Sequence, residues 1–549
     1  MKSLKTFKNN AWLILLIAVA IVASCKKNDP NAGLEPPRLF KPSGISVKTS
    51  ATSAKITWTP SLFSTGQKLT YTAQFSQDST FATSEFALQT DTAGLTVTDD
   101  KITIRKKYYM RLKANAYQDQ PESNWVISSG FTIIGEQFFL PVRDLELKET
   151  GVTLRWTVTA GLTNITITPK AGTSTSYPIS TGEAGSGIKV FSGLTAGTDY
   201  VAELFAGTKS KGLLNFSTPA ATVYTTILNS GADLVAAVNA AANNAVIGLN
   251  PGTYSAGSAN FTLLQKTVTI KSTSGNPTDT KVNYKEFTLR GNGAGINFAG
   301  IELDGTASGS LYFINPTGVA ADAEKCAFTQ VTISNCIVHG ATTSFMRANR
   351  GAAGGDYTMD NITVKNCIIY DMASTLGYTF LHLDKLQFNT LSFSKTTMYN
   401  IGRELLSCST TLTSAAPTIT FDYCTINNFG ASGLYVLMDA NANPVKFNIT
   451  NSILANVPRP AGTVQNVVLR ASGAGSATVF NNNNTFNFTN GAATPVPLTY
   501  PTANITMIGN QSVVLGWTAT TTDFTLPAGS PLRTASNVST PIGDPRWSY

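Results

Sequence analysis

With 13% of its 549 residues charged and only two histidines, this chain has few side chains able to move a proton or hold an anion. His382 stands in Phe380-Leu-His-Leu-Asp-Lys, with Asp384 two positions on and Lys385 next to it. Phe345-Met-Arg-Ala-Asn-Arg carries Arg347 and Arg350, and Gly402-Arg-Glu-Leu-Leu carries Arg403 and Glu404. Phe345 or Met346, Leu381 and Leu383 alternate with these polar residues, so a strand that buries the apolar set turns Arg347, His382 and Asp384 outward. An imidazole near neutrality can take or give a proton, whereas a guanidinium is a poor base that grips carboxylates through paired hydrogen bonds.

This set suits an acidic ligand. Arg347 and Arg403 hold its carboxylates, His382 transfers a proton, and Asp384 orients the histidine or helps to hold Ca²⁺. Arg350, Lys385 and Glu404 border the same strands as binding residues. The plainer reading is a solvated face with cross-coil ion pairs such as Asp384 with Arg403, each worth about 0.2–1 kcal/mol. No CxxC or HxxxH spacing supports a metal centre. The formal charge of +8 is spread thinly, with no basic run, which argues against nucleic acid and weakly favours an anionic partner.

Such residues need a scaffold that brings distant segments side by side, and the sequence contains one. Val331-Thr-Ile-Ser-Asn-Cys-Ile-Val-His, Ile362-Thr-Val-Lys-Asn-Cys-Ile-Ile-Tyr, Leu391-Ser-Phe-Ser-Lys-Thr-Thr-Met-Tyr, Ile419-Thr-Phe-Asp-Tyr-Cys-Thr-Ile-Asn and Phe447-Asn-Ile-Thr-Asn-Ser-Ile-Leu-Ala align without a gap. One column reads Cys336, Cys367, Thr396, Cys424 and Ser452, spaced by 31, 29, 28 and 28 positions, so loops of varying length join constant strands. Each segment alternates apolar and polar residues, and stacking in parallel pools the apolar faces into one core. The expectation is an all-β chain ending in a parallel β-helix. Asn335, Asn366 and Asn451 stand at a bend where their amides could pair up and down the stack. The charged cluster then lies on the second strand of each coil. Cys336, Cys367 and Cys424, in one column, are expected as a stack of buried free thiols, because an in-register column has poor disulfide geometry.

Lys2, Lys5 and Lys8 precede the apolar run from Ala11 to Val22, which is too short to span a membrane and suits a secretory leader. Val22-Ala23-Ser24-Cys25 resembles a bacterial lipobox, which implies cleavage after residue 24 and lipidation of Cys25. Residues 25–35 then form a tether, and the protein is held at the cell envelope by its lipid. Removing the leader lowers the formal charge to +5, since it takes three lysines and no acid.

Residues 36–135 read as short strands around Trp58, Leu69-Thr-Tyr-Thr-Ala-Gln-Phe and Tyr108-Tyr-Met-Arg-Leu. Residues 140–226 repeat the style, with Gly193-Leu-Thr-Ala-Gly-Thr-Asp-Tyr. Both resemble fibronectin type III domains, with Trp58, Trp156 and Tyr200 as core residues. Ser230-Gly-Ala-Asp-Leu-Val-Ala-Ala-Val followed by Leu249-Asn-Pro-Gly-Thr-Tyr resembles the opening of the pectate-lyase-like right-handed β-helices, and residues 227–549 are assigned to that domain with a capping helix near Asp233. The final Gly543-Asp-Pro-Arg-Trp resembles the tail of exported β-helix lipoproteins of the Bacteroidetes type. That resemblance implies a monomer acting on acidic polysaccharide, either as a lyase cleaving by β-elimination or as a glycan-binding or adhesin-like protein without activity. The polygalacturonase motifs Asn-Thr-Asp, Gly-His-Gly and Arg-Ile-Lys are missing, so hydrolysis by that route is rejected. No cofactor is assigned from the residues beyond Ca²⁺, the ion such a groove would take.

Overall fold

The structure is a computed structural model that describes residues 37–353, 355–410 and 415–549. The leader, the tether and Cys25 lie outside the described residues. The chain beyond them is all-β in character: two sandwiches, then a parallel β-solenoid.

In the first sandwich Ser43–Thr49, Ser53–Thr59 and Gly94–Thr98 form one sheet, and Tyr71–Ser76 and Tyr109–Ala114 lie centrally in the other. Ala54, Ile56 and Trp58 alternate inward along their strand, as a period of two requires. The second sandwich repeats the plan of three strands against four, and Trp156 and Tyr200 are buried in it. Each has a tyrosine whose hydroxyl accepts a backbone N–H five residues upstream, Thr103 to Tyr108 at 3.2 Å and Thr195 to Tyr200 at 2.8 Å. This is the corner device of fibronectin-like sandwiches.

The solenoid has three sheets of eleven, nine and eight strands, parallel throughout. Each aligned segment is two strands, because the chain turns between them. Cys326–Ser334 is followed by Ile337–His339, with Asn335 at φ 55° between them. Asn366, Lys395, Tyr423, Asn451 and Asn482 share that left-handed conformation in the same column. A coil therefore has three strands, and the charged cluster expected on the second lies on the third.

The amide stack expected at this bend is absent. Asn366 and Asn451 donate instead to Asp144 and Asp422, and the bend is tied by backbone bonds such as Asn335 N–H to Lys365 C=O at 3.0 Å. An amide ladder occurs at the following bend. There Asn428 donates to Asn400 and Asn400 to Asp371, while Asn487 donates to Asn456 and Asn456 to Asn427. Asp371, Asn400, Asn428, Asn456 and Asn487 all have positive φ, which short polar side chains tolerate best after glycine.

Inside, like residues stack on like: Val331, Ile362, Leu391, Ile419 and Phe447 are in register and fully buried. Cys336, Cys367 and Cys424 are buried free thiols. Burial raises all three, and Cys367 is pushed up to about 12. The Leu234–Ala240 helix covers the first coils with Leu234 and Val238. Asp233 caps its start, and the Lys266 ammonium closes its end on the carbonyls of Val238, Asn239 and Ala241.

The second sandwich lies against the solenoid rather than merely preceding it. Asp144 receives Lys365 at 2.9 Å and Lys395 at 3.1 Å, so these lysines join two domains. Glu149 receives Lys271 at 2.6 Å. The tail from Val513 to Trp547 packs on the outer face of the second sheet, where Trp517, Phe524, Leu526 and Leu532 make a core with Ile453 and Phe486.

Candidate functional site

Third-sheet strands are short: Ser344–Arg347, Leu381–His382, Leu406–Ser407, Met438–Asp439 and Leu469–Arg470. Buried Phe345, Met346, Leu381, Leu406, Met438 and Leu469 anchor them in the core. The residue after each anchor faces outward, so parallel pairing sets Arg347, His382, Ser407, Asp439 and Arg470 in one column. Neighbours in it are about 4.8 Å apart, and its ends about 19 Å.

Arg347 is held by aromatic rings. Its guanidinium carbon lies 5.0 Å from the ring centres of both Tyr312 and Tyr378. Nε donates to Asn349 at 3.0 Å and Nη1 to the Tyr312 hydroxyl at 3.2 Å. Nη2 donates to no group among the described residues. Held in this way, the guanidinium meets an anion with little rotamer entropy left to lose.

His382 lies under the Tyr378 ring, 4.7 Å between centres. Its Nε2 is 3.6 Å from Asp384 Oδ2, too long for a hydrogen bond, and its buried Nδ1 has no partner. Burial lowers its pKa, Arg403 and Arg347 lower it further, and Asp384 opposes them, so the imidazole is neutral at neutral pH. Asp384 Oδ1 accepts from Ser407 Oγ at 2.5 Å and from Ser409 N and Oγ at 2.8 and 3.2 Å.

Four expected residues thus come together: Arg347, His382, Asp384 and Arg403. The expected Asp384–Arg403 ion pair is not formed. Arg403 Nη1 donates to the Gly377 carbonyl at 2.8 Å, and its Nε lies 3.5 Å from Glu404. Glu404 is buried rather than groove-lining; its carboxyl takes the Thr379 hydroxyl, and burial raises its pKa. Arg350 turns to Asp322 and Asn315, and Lys385 to the Gly351 carbonyl. These two brace loops and leave the substrate-binding set proposed from sequence. Ca²⁺ does not fit either, because Asp384 Oδ1 already takes three donors and two arginines act on the same histidine.

Sequence reasoning missed Tyr312, Tyr378 and the end of the column, where Asp439 takes Arg470 in two parallel bonds of 2.8 and 2.7 Å beneath Tyr435. It also missed a cluster on the second sheet. Glu302, Asp304 and His339 bring ligand atoms within 4.8 Å of one another, a set able to hold a metal ion. Lys281 fills the cation position, 2.6 Å from Asp304 and 3.2 Å from Glu302. Beyond it His339, Tyr370 and Tyr399 stack within 8° of parallel, so each ring face is covered by the next coil.

A family model described as a domain of unknown function, DUF4957, matches residues 252–401. That stretch includes Arg347, His382 and Asp384 and stops short of Arg403. No curated protein matches the chain. Among solved structures, the FN1–FN3 domains of chicken CNTN1 are 13% identical over 34% of this chain and 68% of theirs, with a TM-score of 0.16. Two fibronectin type III domains of chicken tenascin are 14% identical over 32% of this chain and 97% of theirs, with a TM-score of 0.18. The central fibronectin III array of RIM-binding protein is 12% identical over 34% and 64%, with a TM-score of 0.13.

Proposed function

We propose that this protein holds acidic polysaccharide at the cell envelope, along the outer face of the third sheet, and that its partner is a uronate-containing glycan. The Arg347 guanidinium, fixed between Tyr312 and Tyr378 with Nη2 unpaired, is the observation that carries this reading. A fixed, partly desolvated cation on a solenoid face favours a chain whose charges repeat along that face. Export and lipid attachment through Cys25 rest on the leader and tetrapeptide, which fit an envelope glycan as partner.

Binding is favoured over cleavage because nothing orients the imidazole as a base: Nδ1 is buried without a hydrogen-bond partner, and Nε2, 3.6 Å from Asp384, is held by no hydrogen bond. One observation favours lyase action as the second reading. Two arginines beside a neutral imidazole are what β-elimination needs to neutralise a uronate and take its C5 proton.

Native gels containing pectate, alginate or a glycosaminoglycan test both. The parent is expected to be retarded by at least one, without the rise in ultraviolet absorbance that unsaturated uronate gives. Arg347→Met keeps an apolar stem between the two rings and removes the charge, so it should bind at least tenfold more weakly. Undiminished retardation of that variant removes the binding reading, and a rise in absorbance with the parent establishes the lyase.

A further inference from the structure

A second cationic group stands apart from the third sheet. Arg143 opens the short turn that carries Asp144, where the second sandwich meets the solenoid. Its side chain is only 17% exposed, yet among the described residues its guanidinium donates no hydrogen bond. The nearest carboxylate, Glu146, makes only a long 4.0 Å ion pair with Nη1; its Oε1 accepts from Arg155 Nε at 2.6 Å, and its buried Oε2 has no hydrogen-bond partner. A half-desolvated guanidinium with no hydrogen-bond partner from the protein is costly, and native proteins meet that cost with an anion or with water.

The guanidinium borders a cleft of about 330 Å³, walled by the second sandwich, the first bend of the solenoid and the tail. Pro141, Tyr423, Pro541, Pro545 and Tyr549 are among the residues that line it, and its lining is mostly apolar. The other charges there have closer partners: Lys395 and Asp144 bind each other, and Asp544, which also attracts Arg143, lies 3.3 Å from Arg546. A cation held by one long ion pair and no hydrogen bond, at the edge of an apolar slot this size, suits a small ligand with a single anionic group.

We propose that this cleft binds a small monocarboxylate built on a six-membered ring, with Arg143 taking the carboxylate and the proline and tyrosine faces taking the ring. The site is independent of the polysaccharide reading. Two sources share this chemistry, an aromatic acid and a single uronic acid, and the test separates them.

The full chain is titrated calorimetrically with benzoate, with galacturonate, and with benzamide as the neutral counterpart of the first. Saturable one-to-one binding of at least one acid is expected, with benzamide at least tenfold weaker. Which acid binds identifies the source. Arg143→Gln should lose at least tenfold in affinity while keeping its melting temperature, because it removes a charge that donates no hydrogen bond and makes only a long ion pair. Leu145→Trp, which fills the cleft and keeps the charge, should lose binding as well. Arg347→Met should bind as the parent does, which separates this site from the third-sheet face. The proposal fails if neither acid binds saturably, if benzamide binds equally well, or if Arg143→Gln binds as the parent does.

Discussion

Arg347 and Arg403 do more than offer charge, and this changes what their removal should do. Between two tyrosines, the Arg347 side chain contributes roughly 1–2 kcal/mol through its ring contacts, so Arg347→Ala should lower stability as well as binding. Arg403→Ala leaves Glu404 buried without its cation and should cost about 3 kcal/mol, whereas the double change Arg403→Met with Glu404→Gln should cost less; urea denaturation distinguishes them. His382 gives a pH signature. Burial first, then Arg403 and Arg347, depress its pKa below the usual 6.5, so below that value the unfolded chain binds the proton more readily than the folded one. Its contribution is whole above pH 6.5 and is lost as the pH falls through the depressed value. His382→Gln should flatten that part of a stability-against-pH curve. Glu404 has the opposite sign. With its pKa raised above 4.5 by burial, its contribution is greatest below pH 4.5 and is lost as the pH rises through the folded value, a slope that Glu404→Gln should remove.

At the scale of the coil, the bends constrain the backbone as firmly as the strands fill the core. Asn428 has φ 56°, is almost fully buried, and donates to Asn400 and to the Ala519 carbonyl. Asn428→Ala should cost about 2–4 kcal/mol, from both the lost bonds and the left-handed backbone; Asn428→Gly keeps the backbone and should cost about 1 kcal/mol less, as chemical denaturation can read. Inward columns were legible in the sequence because burial allows few residue types and the bend between the first two strands of a coil has constant length. The Cys336, Cys367, Thr396, Cys424, Ser452 column shows why such different residues align. Each turns a small donor to the carbonyl two residues back, as Thr396 does to Ser394 and Ser452 to Thr450. Third strands as short as two residues, joined by loops of unequal length, left no such pattern, so Tyr312 and Tyr378 could not be aligned with Arg347. Glu302, Asp304 and His339 were equally hidden, since only register brings Glu-Leu-Asp beside Ile-Val-His.

For the molecule as a whole, Asp144 governs how the second sandwich sits. Burial would raise its carboxyl, but hydrogen bonds from Lys365, Asn366 and Lys395 outweigh it and hold the group at about 2. Its contribution is therefore present above the usual 3.8 and lost as the pH falls through about 2. Replacing both Lys365 and Lys395 with Ala should move the loss of docking to higher pH, seen by small-angle scattering as a larger radius of gyration under conditions where the parent stays compact. The sandwich-then-solenoid order was readable from turn spacing and repeats. That docking was not, because a lone Asp144 and two lysines more than 200 positions away carry no local signal. The tail raises a different matter, that of order in time. Trp547 bonds Thr397 across 150 positions, and Asp544 sits between Thr397 and Thr425. Coils can stack one upon another as they emerge during synthesis, each templated by the last. The strap over them cannot close until the final stretch arrives, so the outer face of the second sheet stays bare while the coils form and is sealed in one late step.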